Sequence, residues 1–80
     1  KAAKLFPNPT YQSIQIEYEF SGLLLVKVIH ADGRLVKKAK LDFSNGVATL
    51  DLREVQGGVY WLETSDENSN RHFLERIIKL

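Results

Sequence analysis

Apolar and polar residues alternate with a period of two along nearly the whole chain. Residues 13–20 set Ile14, Ile16, Tyr18 and Phe20 on one side and Ser13, Gln15, Glu17 and Glu19 on the other. An extended chain sends successive side chains to opposite faces, so this run predicts a strand with one buried and one wet side. Residues 23–30 are more continuously apolar, with Leu24, Val26 and Val28 on one face and Leu23, Leu25, Lys27 and Ile29 on the other. That pattern predicts a strand covered on both faces or placed centrally in its sheet. Residues 34–43 set Leu35, Ala39, Leu41 and Phe43 against Lys38, Lys40 and Asp42. Residues 47–52 turn Ala48, Leu50 and Leu52 inward, and residues 59–64 set Tyr60 and Leu62 against Val59, Trp61 and Glu63. The last run, residues 71–80, groups Phe73 with Ile77 and Leu74 with Ile78 and Leu80. A bulge between Phe73 and Ile77 is expected there.

Turn chemistry separates these runs. Asp32-Gly33 and Asn45-Gly46 tolerate positive φ, and Asn-Gly is the stronger hairpin signal of the two. Gln56-Gly57-Gly58 breaks the chain again, and residues 65–70 form a polar loop. Leu5-Phe6 adds a short strand before Pro7-Asn8-Pro9-Thr10, where two prolines withhold ladder donors. No apolar stripe at helical spacing is long enough for a helix, and residues 53–56 hold a single turn at most. Six or seven short antiparallel strands with regularly spaced turns predict an all-β sandwich.

Composition narrows the function classes. The 80 residues hold 11 basic and 10 acidic side chains, a net charge of +1 that supplies no overall field for nucleic acid or an anionic membrane. No apolar stretch exceeds residues 23–26, so no transmembrane helix is expected. The absence of cysteine excludes disulfides, thiolate metal sites and cysteine nucleophiles. The chain opens on Lys1 with no basic-then-apolar leader, which reads as a piece of a longer polypeptide.

Candidate chemistry is sparse. The loop at residues 66–70 begins like a calcium loop, but Arg71 stands at the glycine position and Ile77 at the bidentate glutamate, so a polar hairpin loop is favoured. Ser44, His72 and Asp42 make a serine–histidine–acid set only on paper, because no strained nucleophile turn supports it. His30 and His72 lack a third metal ligand. Arg34, Lys37, Lys38 and Lys40 form one basic patch without interleaved aromatics, and protection of an exposed strand edge accounts for it better than a polyanion contact. Trp61, opposite the Tyr60/Leu62 face, is either an exposed anchor or a cover for the outer sheet face.

Four segments in order carry a resemblance. Residues 5–10 hold a Pro-Asn-Pro motif, and residues 28–36 form a strand–turn–strand around Gly33. Residues 50–60 read Leu-Asp-Leu-Arg-Glu-Val-Gln-Gly-Gly-Val-Tyr, and residues 76–80 form a basic–aliphatic end. Together they resemble the type A C-terminal sorting domain of the type IX secretion system over residues 5–80. Arg53 replaces the usual serine, and Gly57 precedes the usual lone glycine.

The resemblance implies an Ig-like sandwich that is a non-catalytic signal without cofactors, one domain over residues 1–80, with residues 1–4 a linker from an upstream cargo domain. It implies transit through the periplasm to the cell surface or medium. Implied partners are the outer-membrane translocon, a shuttle protein and a C-terminal signal peptidase, with no nucleic acid. Pro7, Asn8, Pro9, Gly33, Gly58 and Tyr60 carry the structural motif, the two glycines as sharp turns and Tyr60 as a core aromatic. Ile77, Ile78, Lys79 and Leu80, with Trp61, are the recognition candidates, the terminal strand offering its edge and Lys79 standing exposed. The alternative is a carbohydrate-binding or adhesion module using Trp61 and the loop at residues 66–70.

Overall fold

The computed structural model describes residues 2–80 and sorts the alternating runs into seven strands. They are β1 (Lys4–Phe6), β2 (Ser13–Glu17), β3 (Leu23–His30), β4 (Leu35–Asp42), β5 (Val47–Asp51), β6 (Gly58–Ser65) and β7 (Arg71–Lys79). One sheet has the order β1-β2-β5 and the other β4-β3-β6-β7. Every pairing between these strands is antiparallel. This is an Ig-like all-β sandwich with the fourth strand beside the third.

The core lies between the sheets. Ile14 and Ile16 of β2 and Leu50 of β5 meet Leu24, Val26 and Val28 of β3, Leu62 of β6 and Ile77 of β7, all at most 1% exposed. Each such side chain contributes roughly 1.5–3 kcal/mol by leaving water. β3 is central in its sheet, as its continuous apolarity predicts. Tyr60 is buried, and its hydroxyl donates to the Gln56 carbonyl at 2.6 Å, which ties the crossing between sheets to the strand that follows it.

Three local expectations change. No bulge separates Phe73 from Ile77, because positions four apart share a face under plain alternation, and β7 pairs without interruption from Phe73 to Lys79. The irregularity lies at the start of the strand, where Ser65 pairs with Arg71 and Thr64 with Phe73, leaving His72 extra. Leu35, expected inside, is 47% exposed: Ile29 pairs with Leu35 and Val28 with Lys37, so Val36 is the inserted residue and packs on the core. Asn45-Gly46 makes no hairpin. Gly46 has φ 81° and its N–H closes a turn onto Phe43, but the turn carries the chain from one sheet to the other and β4 never pairs with β5. Asp32-Gly33 does close the β3–β4 hairpin, with Gly33 at φ 95°. Gly58 opens β6 at a φ of 159°, which residues with a side chain rarely adopt, and an added Cβ would stand 3.5 Å from the Tyr60 ring.

Lys1 lies outside the described residues. Lys4, at the end of the expected linker, begins β1, and Ala3 packs against the core.

Candidate functional site

Strand β7 would be an open edge but for the segment at residues 7–10, which runs alongside its end. The Asn8 side-chain amide donates to the Arg76 carbonyl at 3.0 Å, and its carbonyl oxygen accepts the Ile78 N–H at 2.9 Å. Thr10 continues the pairing with its backbone: its N–H donates to the Ile78 carbonyl at 2.9 Å, and its carbonyl accepts the Leu80 N–H at 2.7 Å. An amide side chain carries one donor and one acceptor at about the spacing of a peptide group, so Asn8 takes the place of a strand residue that two neighbouring prolines make impossible. The edge from Arg76 to Leu80 is therefore occupied, and presentation of that edge to a partner, expected from the sequence, is not available in this arrangement.

The four terminal candidates separate by depth. Ile77 is fully buried in the core. Lys79, expected on the surface, is 8% exposed, paired with Gly58 in the ladder, its ammonium donating to the Leu80 carbonyl at 3.2 Å. Ile78 is half-buried, and Leu80 is 51% exposed. Gly57 lies beneath this end, where an added Cβ would stand 3.4 Å from the Lys79 carbonyl oxygen.

Trp61 stands on the outer face of the four-stranded sheet and is 40% exposed. The ladder puts it between Ile29 and Arg76, and Leu35 lies beyond Ile29 in the same row. The neighbouring row reads Lys38, Lys27, Glu63, Leu74, and Lys40 faces Leu25 in the row after. The basic patch is thus recomposed. Lys37 leaves it, because the inserted Val36 turns its side chain to the other side, where it pairs with Glu54 at 2.8 Å and holds that carboxyl below the usual carboxylate range. Lys27 comes into it from β3, and Arg71 and Arg76 from β7. Trp61 shares the face, an interleaving invisible from the spacing along β4 alone.

A second cluster ties the opposite end of β7 to the other sheet. The Asp66 carboxylate accepts the N–H groups of Asn68 and Asn70, and its second oxygen faces His72 Nε2 at 2.9 Å. A carboxylate only accepts, so Nε2 carries a proton, and Nδ1 shares a hydrogen bond of 3.0 Å with the Tyr18 hydroxyl. The His72 bond, then the Asn70 N–H, hold the Asp66 carboxyl below the usual range. Phe20 packs edge-on to His72 at 4.7 Å between centroids.

These bonds also dispose of the paper constellations. Both ring nitrogens of His72 are engaged, and Ser44 Oγ donates to Asp42 at 2.6 Å, so Ser44, His72 and Asp42 do not come together as a catalytic set. Asp66, the first donor of the calcium-like loop, is spent on backbone amides and His72, as in a closed hairpin loop. Among the described residues no cluster of histidine and carboxylate side chains is arranged to hold a metal. An open concavity of about 940 Å³ lies between residues 20–25 and the loop at residues 65–69, lined by Lys27, Lys40, Glu63 and Arg71. Trp61 is not part of its wall, so the two features of the carbohydrate reading lie apart.

A family profile described as "Secretion system C-terminal sorting domain" matches residues 4–79. The chain belongs to that family. The domain is a type IX secretion system C-terminal sorting domain, and the family is defined by a sorting role rather than a catalytic one. Among solved structures the chain is similar to PorZ of Porphyromonas gingivalis, described as an essential bacterial surface component of the type-IX secretion system. The TM-score is 0.67 at 20% identity, over 98% of this chain and 11% of that one. The sorting domain thus spans about a tenth of PorZ, and the likeness is one of fold. No curated protein matches the chain. Among the described residues no helix is long and apolar enough to cross a membrane.

Sequence reasoning placed Asn8 in the structural Pro-Asn-Pro motif but drew only the ladder-breaking of its prolines. The signal it passed over is the chemistry of the Asn8 side chain, which donates and accepts at once. The face around Trp61 left no such signal, because its residues come from four strands.

Proposed function

We propose that this domain directs an attached cargo across the outer membrane as a folded, non-catalytic signal. The cargo joins at the N-terminal side, passes through the periplasm, and is delivered to the cell surface or medium. The partners are the translocon, a shuttle protein and a C-terminal signal peptidase, with residues 1–3 leading from the cargo. Membership of the sorting-domain family over residues 4–79 is the observation that carries this reading.

Recognition falls to side chains that reach solvent, namely Trp61 and Leu80 with the half-buried Ile78, while Ile77 and Lys79 hold the strand in place. Asn8 and Thr10 tie the segment that follows β1 to the end of β7 and so hold the terminal strand in place.

The test is a fluorescent reporter with a periplasmic signal at its N-terminus and this domain at its C-terminus, expressed in a host with the secretion system. Reporter at the surface or in the medium is the expected result. Retention of the intact fusion in the periplasm refutes the reading. Deleting only Leu80 removes an exposed side chain and one backbone bond, so folding is retained and export falls if the terminus is read directly.

A further inference from the structure

The near-neutral net charge of the chain conceals a separation of charge between its surfaces. Lys27, Lys38, Lys40, Arg71 and Arg76 come from three of the four strands of the larger sheet and share its outer face, by the cross-strand register. The carboxylates that neutralise charge elsewhere are committed: Glu54 to Lys37, Asp51 to Arg53, Asp32 to Arg34, and Glu63 to Arg71 at 3.3 Å. Among the described residues no carboxylate lies within ion-pair distance of Lys27, Lys38, Lys40 or Arg76.

Lys27 and Lys38 are moreover directly opposite each other across the β3–β4 ladder. Like charges placed so destabilise a sheet. Guarding a sheet edge accounts for Lys38 and Lys40, which sit on the edge strand β4. It does not account for Lys27, on the central strand β3, where Glu63 stands opposite on the other side but is held by Arg71 at 3.3 Å. A repulsive pair at a position that edge protection does not require is relieved when a ligand supplies the missing negative charge.

The next row identifies what kind of ligand. Trp61 (40% exposed), Leu35 (47% exposed) and the half-buried Ile29 form an apolar strip beside the lysines on the same face. A phosphate polymer has nothing apolar to cover Leu35 and Ile29, and a sugar ring would stack on Trp61 but leave Leu35 in water. A protein surface brings both kinds of group together. We propose that the outer face of the four-stranded sheet docks an acidic protein partner, whose carboxylates meet Lys27, Lys38 and Lys40 while an apolar side chain covers Trp61, Ile29 and Leu35. This rests on the sorting reading and names the chemistry of the partner that reading requires.

The decisive variant is the double substitution Lys38→Glu with Lys40→Glu in the reporter fusion, with Glu17→Lys on the opposite sheet as a charge control. Glutamate guards an edge strand as well as lysine does, and it turns the repulsive pair with Lys27 into an attractive one. The purified variant should therefore melt at the same temperature or a few degrees higher than the parent. Its export should nevertheless fall at least tenfold, while Glu17→Lys exports normally. Normal export of the double variant overturns the inference and leaves the sorting reading intact, whereas failure of the unmodified fusion removes both.

A solution measurement stands independently of folding in the host. A synthetic peptide of glutamates interspersed with leucines should quench Trp61 fluorescence of the 80-residue chain. Its affinity should drop at least tenfold between about 50 mM and about 300 mM salt, and again in the double variant. Polyphosphate or phosphatidylglycerol vesicles binding as tightly as the peptide would overturn the choice of a protein partner.

Discussion

On its inner side the four-stranded sheet presents Leu24, Val26, Val28, Tyr60, Leu62 and Ile77, packed dry against the other sheet. On its outer side the same four strands present Lys27, Lys38, Lys40, Trp61 and Arg76. The residues of the two sets alternate one by one along each strand, so backbone and pairing are common to both. Neighbours differ. Each inner side chain removes apolar area from water, whereas the outer face places two lysines opposite each other and leaves an indole in solvent. A small domain without disulfides gains its stability from one face of this sheet and accepts a loss on the other. The difference teaches where to look for function: on the face whose arrangement stability alone does not reward.

The comparison breaks first if the inner face is not what holds the fold. Leu62→Ala removes a fully buried side chain and should cost about 2–5 kcal/mol in denaturant unfolding. A cost below about 1 kcal/mol would mean that the inner face relaxes freely and that the two faces are not distinct.

The rim between the faces comes next. Asn8→Ala leaves the Arg76 carbonyl and the Ile78 N–H to solvent and should cost about 1–2 kcal/mol. Amide exchange at Ile78 and Leu80 should accelerate with it. Asn8→Asp keeps the acceptor for Ile78 but loses the donor to Arg76, and so should fall between the two.

Acid sharpens the comparison without substitution. Arg53, through its side chain and then its N–H, lowers the Asp51 carboxyl to about 2, and His72 and backbone amides lower Asp66. Carboxyls depressed in the folded state contribute stability that is fully present above their unfolded values near 4 and is lost as pH falls through the folded ones. Unfolding midpoints should therefore decline from about pH 4 toward pH 2, and Asp66→Asn should flatten part of that decline.

Changes to the outer face should move stability least. Trp61→Ala should stay within about 1 kcal/mol, and Lys38→Glu should stabilise by about 0.2–1 kcal/mol through its new partner Lys27. Strong destabilisation by Trp61→Ala would make the indole a packing residue and erase the distinction between the faces.

Much of the fold was legible from local pattern. The inward sets Ile14/Ile16, Leu24/Val26/Val28, Leu50/Leu52 and Tyr60/Leu62 follow directly from alternation, and each is buried. Alternation failed where a residue is inserted. Val36 reverses the roles of Leu35 and Lys37, and His72 displaces the irregularity expected further along β7. An inserted residue is defined by the partner strand, which a single run of sequence does not contain. The terminal candidates were harder still. Lys79 reads as a surface cation because lysine is rarely buried, yet it is 8% exposed where the end of β7 pairs with Gly58.

Backbone stereochemistry is local, so the sequence by itself determined the all-β class, the side of each strand that turns inward and the positions where the chain must turn. The four ordered motifs likewise identified the family without any coordinates. Tertiary structure decided what those pieces meet. Asp32-Gly33 and Asn45-Gly46 both turn the chain, but the weaker hairpin signal joins paired strands and the stronger carries the chain between sheets, because pairing depends on which apolar faces must cover each other. The same dependence brought Asn8 to the edge of β7, some seventy residues away along the chain, and gathered Lys27, Lys38, Trp61 and Arg76 from four strands onto one face. Cross-strand neighbours are set by register, and register belongs to the assembled sheet rather than to any strand within it.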